Sequence, residues 1–191
     1  KGQTYEYSLG LNGLGACATQ YASEFMDVEV VRDSFKYNLH FEKGKNIGGL
    51  KKEPTKQKQT YTIIRWKPDL EVFTDINVPF DYFDNMLKKQ AVVNKGLTLE
   101  LTYEKDNGEC IYRTYYYENG IIDYIKEINE GKEFSSIIYF CGESTGKDRE
   151  DKPEYLVKME IAFCFNNEKT MMEYFHNSSW LEHGGSPEKA I

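Results

Sequence analysis

Three glycines, Gly10, Gly13 and Gly15, punctuate the segment Ser8-Leu-Gly-Leu-Asn-Gly-Leu-Gly-Ala16. Lacking Cβ atoms, such a stretch lets successive backbone N–H groups turn toward one anion, and a helix opening near Ala16 adds the positive end of its dipole. The chemistry this spacing allows is the cradling of a phosphate by main-chain donors. The same G-x-x-G-x-G spacing also describes an ordinary tight turn. Two stricter phosphate motifs are excluded: no Gly-Lys-Ser/Thr follows, as a Walker A loop requires, and no strand precedes, as the Rossmann fingerprint requires.

Other reactive side chains do not assemble into a motif. His40, His176 and His183 are isolated from any cysteine or serine in a nucleophile pattern, so no hydrolase triad can be written. Cys17, Cys110, Cys141 and Cys164 are far apart and contain no C-x-x-C pair, which argues against a zinc site or a disulfide framework and for reduced, buried thiols. Glu127 with Glu130, and Asp148 with Glu150 and Asp151, read as solvated carboxylates. Six lysines against one glutamate between Lys43 and Lys58 suit either a solvated loop or contacts to DNA phosphates. Tyr112, Tyr115, Tyr116 and Tyr117 flank a hairpin, and cross-strand packing accounts for them better than base stacking.

The elements that must carry these residues follow from hydrophobic periodicity. After the glycine segment, residues 16–25 suit a helix packed on a sheet. Residues 27–32 and 36–42 alternate with period two around a turn at Asp33-Ser34, which is a hairpin. Residues 43–58 have loop composition, and a strand resumes over 60–66. Pro68 ends that strand, and 69–73 form one helical turn. Asp81 is expected to cap an amphipathic helix lined by Phe83, Leu87, Ala91 and Asn94, which Lys95-Gly96 stops. Asp106-Asn107-Gly108 joins strands 97–103 and 109–117. Ile121, Ile122, Ile125 and Ile128 fall at helical spacing after Gly120, and Glu130-Gly131-Lys132 ends that helix. Strands over 136–141 and 155–165 flank a charged loop at 145–154. The fold class is therefore α+β, with long antiparallel hairpins and few helices.

Composition bounds the function. A 191-residue chain with 40% hydrophobic and 15% aromatic content can bury a core. A net charge of -7, from 31 acidic and 24 basic residues, excludes a whole-surface grip on nucleic acid and leaves only a regional one. No apolar run is long enough to span a membrane and no signal-peptide core is visible, so a cytoplasmic protein without membrane partners is expected. The glycine-rich opening and the closing Gly184-Gly185-Ser186-Pro187 both read as cuts in a longer chain.

The segment 8–16 resembles the glycine-rich motif at the end of the ATP lid in GHKL ATPases of the gyrase B type. The resemblance continues in order through Asp27-Val-Glu-Val-Val-Arg-Asp33, Phe41-Glu-Lys-Gly44, Thr60-Tyr-Thr-Ile-Ile-Arg-Trp-Lys-Pro-Asp69, Asn94-Lys-Gly-Leu97 and Tyr117-Glu-Asn-Gly-Ile121. Ile137-Ile-Tyr-Phe140 is similar to the opening of the transducer domain of that family, and 177–186 to a degenerate form of its asparagine-rich and E-G-G-T-H segment. Essentially the whole chain is covered.

This resemblance implies an interior segment of the ATP-binding B subunit of a bacterial type IIA DNA topoisomerase, gyrase or topoisomerase IV. It implies the carboxyl-terminal half of a GHKL-type α/β sandwich over 1–133, then the start of a ribosomal-protein-S5-like transducer domain over 134–191. By the same resemblance Gly10, Leu11, Asn12, Gly13, Leu14, Gly15 and Ala16 wrap the triphosphate of ATP through backbone N–H groups. Thr62 hydrogen-bonds on the adenine side of the pocket, and Arg32 lines its outer rim. The intact protein would use ATP with Mg2+, act on DNA, and work with the topoisomerase A subunit and a second B subunit.

Several departures accompany it. Tyr61 stands where the family usually has glycine, which is expected to narrow the approach to the base. Asn12 replaces a histidine, and Glu182-His-Gly-Gly-Ser-Pro187 replaces E-G-G-T-H. In the family the catalytic glutamate, the magnesium-binding asparagine and the adenine-binding aspartate of D-G-R-G lie upstream of the glycine motif, and the Q-T-K lysine lies downstream. None of them is in this chain, so neither a catalytic residue nor a metal ligand is assigned and the segment alone is expected to be inactive. Two other readings remain at this point: a non-catalytic GHKL-like interaction or DNA-clamp module, and an unrelated anion-binding α+β protein.

Overall fold

The structure is a computed structural model that describes residues 14–147 and 149–191. The chain divides by packing into two compact units, with the break between Val78 and Pro79.

The first unit begins with α1 (Leu14–Tyr21), followed by β1 (Ser23–Arg32), β2 (Phe35–Glu42), β3 (Lys45–Asn46), β4 (Lys51–Pro54) and β5 (Tyr61–Pro68). Its antiparallel sheet has the order β3-β2-β1-β5, with β4 also pairing β2. The expected β1–β2 hairpin is present, and its turn residues Asp33 and Ser34 both take positive φ. The helix expected over 16–25 ends at Tyr21 instead. Ser23 donates its hydroxyl back to the Thr19 carbonyl, and the Asp69 amide takes the Ala22 carbonyl at 3.0 Å. From there the alternating, partly β-branched run 25–31 favours a pleated surface over a helix. The 43–58 loop also contains β3 and β4, short strands whose residues are exposed on both faces and so carry no apolar rhythm. The turn at 69–73 forms as expected, with Val72 and Phe73 donating to the Asp69 carbonyl at 2.9 Å.

Because paired residues share a face, the register sorts this sheet into two unlike sides. One carries Met26, Val28 and Val30 with Tyr37, Leu39 and Phe41, and with Thr62, Ile64 and Trp66. The other carries Asp27, Glu29 and Val31 with Lys36, Asn38 and His40, and with Tyr61, Ile63 and Arg65. Met26 and Val31 are buried, whereas Ile64 and Trp66 remain about half exposed, at 51% and 47%.

The second unit contains α2 (Phe80–Val93), β6 (Leu99–Glu104), β7 (Cys110–Tyr115), α3 (Ile121–Asn129), β8 (Ile138–Gly146), β9 (Tyr155–Phe163), β10 (Phe175–His176), β11 (Ser179–Trp180) and α4 (Gly185–Ala190). Its core is Ala91, Val92, Tyr115 and Tyr117, with Leu87, Leu99, Leu101, Ile121 and Tyr124 packed around them. Burying Val92 completely contributes roughly 1.5–3 kcal/mol. Pro79, and not Asp81, occupies the N-cap of α2, since proline's fixed φ suits the entry and its missing N–H costs nothing there. Asp81 lies one residue into the first turn, where its charge complements the helix dipole. The Asp106-Asn107-Gly108 turn forms with Gly108 at φ 80, and β8 runs on to Gly146, into the stretch expected as loop.

The β8–β9 hairpin is fastened to α2 and α3 by side chains: Lys95 pairs Glu160 at 2.8 Å, and the buried Asn129 amide meets Cys164 Sγ at 3.1 Å. All four cysteines are free, but they are not the buried thiols expected: Cys17 and Cys141 are exposed, and Cys110 and Cys164 half-buried. Cys17 lies on the exposed part of α1, whereas Cys110 and Cys141 lie on the two-stranded ribbons, whose outer faces meet water.

Candidate functional site

α1 places Leu14, Gly15 and Ala16 in its first turn, all exposed, and no acidic residue lies in that turn. No carboxylate of the helix itself offsets the positive end of its dipole there, which favours an anion. A Cβ added at Gly15 would meet nothing within 4 Å. Thr19 donates its hydroxyl to the Gly15 carbonyl at 3.0 Å, Gln20 donates to the Gly44 carbonyl at 2.8 Å, and the Tyr21 ring lies over Gly44. Gly44 has φ +78, and a Cβ there would come within 2.2 Å of that ring, so glycine is required to seat the end of α1 on the β2–β3 turn. Gly10, Leu11, Asn12 and Gly13, the other expected phosphate-loop residues, lie outside the described residues.

Thr62 and Arg32 come together. Thr62 lies opposite Val30, and Arg32 is two residues beyond Val30, so both belong to the same face at the same end of the sheet. Both are exposed, and Arg32 Nε holds Asp33 Oδ2 at 3.0 Å. No hydrogen bond or ion pair among the described residues joins this pair to Leu14, Gly15 or Ala16. Tyr61 corrects one expectation. It belongs to the opposite face, where its hydroxyl donates to Glu29 Oε1 at 2.7 Å, so it does not narrow the approach to Thr62.

That opposite face carries a charged array that the sequence motifs did not reveal. Glu29 also pairs Lys36 Nζ at 2.5 Å, and these contacts hold its carboxyl below the usual range, Lys36 first and Tyr61 second. His40 sits between Asp27 at 2.6 Å and Glu42 at 3.3 Å, and these hydrogen bonds, Asp27 foremost, raise its pKa. Only the cross-strand register brings Asp27 and His40 opposite each other, so no linear pattern announces them. A raised histidine pKa means the charged pair contributes fully below the unfolded value and is lost as pH rises through the folded one. An NMR titration is therefore expected to place the His40 midpoint above the ordinary 6.5, and Asp27→Asn to lower it. A midpoint unmoved by Asp27→Asn would show that the contact does not persist in solution.

Among the described residues no three His, Cys, Asp or Glu side chains are placed to hold a metal ion. No helix among them is long and apolar enough to cross a membrane.

Residues 120–191 match a family model described as DNA gyrase B. The chain is similar to the type 2 topoisomerase B subunit of Aquifex aeolicus, 32% identical over 96% of this chain and 22% of that protein. It is 33% identical to the B subunit of DNA topoisomerase 4 from Bacillus subtilis, over 85% of this chain and 23% of the relative. With the B subunit of DNA gyrase from Metamycoplasma hominis it shares 30% identity over 100% of this chain and 29% of that protein. The chain thus spans 22–29% of the length of these curated relatives. Among solved structures, the topoisomerase IV ATP-binding domain of Francisella tularensis aligns with TM-score 0.53 and 25% identity, over 73% of this chain and 41% of that one. The 43K ATPase domain of Thermus thermophilus gyrase B, solved with an aminocoumarin, shares the fold at TM-score 0.59 and 22% identity, over 69% of this chain and 36% of that one.

Proposed function

The chain belongs to the B-subunit family of bacterial type IIA DNA topoisomerases, and from that membership we propose that it carries part of an ATP site in a protein that couples ATP binding and hydrolysis to DNA duplex passage. The observation that supports this most directly is the register that sets Thr62 and Arg32 on one face, at one end of the sheet. A hydroxyl and a guanidinium there supply what a purine edge and the rim of its pocket need: a donor and acceptor pointing off the sheet, and a planar cation beside it. The exposed first turn of α1, free of carboxylates, suits the phosphates.

The described residues bind and orient; the resemblance assigns the general base and the magnesium ligand to upstream residues. Mg2+ would supply charge neutralisation at the phosphates in the complete protein. On this reading the 191-residue chain does not turn over ATP by itself, and residues 134–191 form the start of the transducer that passes nucleotide-driven change onward. DNA, the A subunit and a second B subunit are the partners of the complete protein, in the cytoplasm. Of the two departures that favour a non-catalytic interaction module, Tyr61 and the altered tail at 182–187, the first lies on the other face of the sheet and the second stands.

Titration with a fluorescent ATP analogue tests the assignment. Gly15→Ala is expected to fold as well as the native chain, since open space surrounds that position and alanine favours a helix by about 1 kcal/mol. Thr62→Val keeps the strand shape and is expected to weaken nucleotide binding about tenfold, the value of one well-placed hydrogen bond in a pocket. Equal affinity in Thr62→Val and native protein would remove Thr62 from the site. No nucleotide binding by the chain, or by a version extended upstream, would sink the ATP reading altogether.

A further inference from the structure

The lysine-rich stretch after β3 has no role in the site above, and its surroundings are unusual for a chain of net charge -7. Lys43 is satisfied by Glu71 at 2.6 Å, and Lys52 lies over the Phe35 ring at 3.9 Å. Lys45, Lys51, Lys56 and Lys58, all exposed, have no ion pair among the described residues. Of the carboxylates nearby, Glu29 is held by Lys36 and Tyr61 and Asp33 by Arg32, while Glu53 and Glu42 stand across the ladder from Lys36 and Lys45.

The backbone fixes where these lysines project. β4 pairs β2 in the register Lys51↔Asn38 to Pro54↔Phe35, and it is an edge of the sheet. Directly after it, the Thr55 amide donates to the Ser34 carbonyl at 2.9 Å, which ties the segment to the β1–β2 turn. Gln57 N–H then donates to Thr55 Oγ1 at 3.2 Å, a local turn that sets Lys56 and Lys58 beside a depression of about 530 Å³. Arg32, Ser34, Thr55 and Thr60 also line it. Cations at intervals along an edge, interleaved with hydroxyl and amide donors, match a phosphodiester backbone better than a single small anion. An extended run from Lys51 to Lys58 covers up to roughly 20 Å, and duplex DNA presents a charge about every 1.7 Å of axis, so several phosphates fall within reach.

We propose that β4 and the segment following it form a sequence-independent contact to the backbone of duplex DNA, through Lys51, Lys56 and Lys58 with Lys45 at its margin. The proposal rests on the topoisomerase reading for its ligand, and on the unpaired lysines for its place. Contact through phosphates implies no base preference and a steep dependence on salt. The edge position adds a second consequence: charged lysines on an unpaired strand edge also keep it from pairing with another copy, so the one feature serves solubility and binding together.

The test is binding of the 191-residue chain to a fluorescent duplex of about 30 base pairs, followed by anisotropy between about 50 and 200 mM salt. Lys51→Gln with Lys56→Gln and Lys58→Gln is expected to flatten the plot of log affinity against log salt by roughly two to three, at about 0.9 per lost contact, and to weaken binding at the lowest salt at least about tenfold. Thermal melting of the triple variant should match the native chain, since all three side chains are exposed. A control with Lys105→Gln and Lys132→Gln removes two cations already paired to Glu109 and Glu168 and is expected to leave the slope unchanged. An unaltered slope in the triple variant, or equal loss in the control, overturns the proposal. Competition by a polyglutamate peptide as effective as unlabelled DNA overturns it in favour of an acidic protein surface. Nucleotide binding is read separately: its absence in the native chain with the DNA slope intact strikes the ATP reading and leaves this contact standing.

Discussion

Tyr117→Ala is expected to cost the second unit about 3–5 kcal/mol, the range for deleting a buried aromatic side chain, and thereby a large part of its stability. Tyr117 is buried in the cluster with Ala91, Val92 and Tyr115, and its ring meets that of Tyr124 edge-on, with centroids 6.1 Å apart. Its hydroxyl donates to Glu127 Oε2 at 2.5 Å, and Glu127 in turn holds Lys88 of α2. One side chain thus joins the end of the β6–β7 hairpin to both α2 and α3. Burial first, then the bond to Glu127, pushes the phenol pKa well up, so the hydroxyl remains a donor through the alkaline range. Burial also pushes Glu127 upward, but Lys88 and Tyr117 together outweigh it and leave the carboxyl below its usual range.

Tyr117→Phe separates packing from polarity. It keeps the ring and removes one hydrogen bond to a charged acceptor, for an expected loss of about 1.5–3 kcal/mol. It should also raise the Glu127 pKa. A carboxylate with a depressed folded pKa contributes stability present above its unfolded value and lost as pH falls through the folded one, so the acid limb of the stability profile moves to higher pH in this variant. Urea unfolding followed by circular dichroism at several pH values reads both effects. A loss under about 1 kcal/mol for Tyr117→Ala would mean that the cluster is not the core of this unit.

The sequence made some of this legible because local chemistry decided it. Asp106-Asn107-Gly108 between alternating strands is a hairpin by turn geometry, and Ile121, Ile122, Ile125 and Ile128 mark a helix by period, whatever surrounds them. Where tertiary context decides, the pattern misleads. β3 and β4 have both faces in water, so pairing alone defines them, and nothing apolar repeats. The end of α1 depends on a backbone bond from Asp69, some fifty residues on in the chain, which no window of sequence contains. The site shows the same split. Thr62 and Arg32 were each identifiable by resemblance, yet that they share a face while Tyr61 turns away depends on the β1–β5 register, a property of two strands about thirty residues apart. The His40 array escaped notice for the same reason.

Gly120→Ala is the second substitution expected to act strongly, at about 2–3 kcal/mol, and it does so through the backbone. Gly120 is the N-cap of α3 with φ 58 and ψ −124, a combination that excludes a side chain, and it is itself buried. A Cβ there would lie 2.8 Å from Lys95 Cγ and 3.0 Å from the Val92 carbonyl oxygen. The two obstacles differ. Lys95 can swing aside, but only by releasing Glu160 at 2.8 Å and Tyr139 at 3.3 Å, which are the contacts that fasten the β8–β9 hairpin to the end of α2. Val92 cannot move, since it is fully buried in the core. Gly131→Ala offers a comparison: φ is again positive, at 78, but nothing stands within 4 Å, so only the conformational cost of about 1 kcal/mol is expected. Combining Gly120→Ala with Lys95→Ala should recover about 1 kcal/mol of the sum of the single losses, because the removed side chain no longer blocks the Cβ. Strict additivity would place the whole cost in the backbone and the Val92 carbonyl, and equal losses for Gly120→Ala and Gly131→Ala would show that the crowding around Gly120 is relieved in solution.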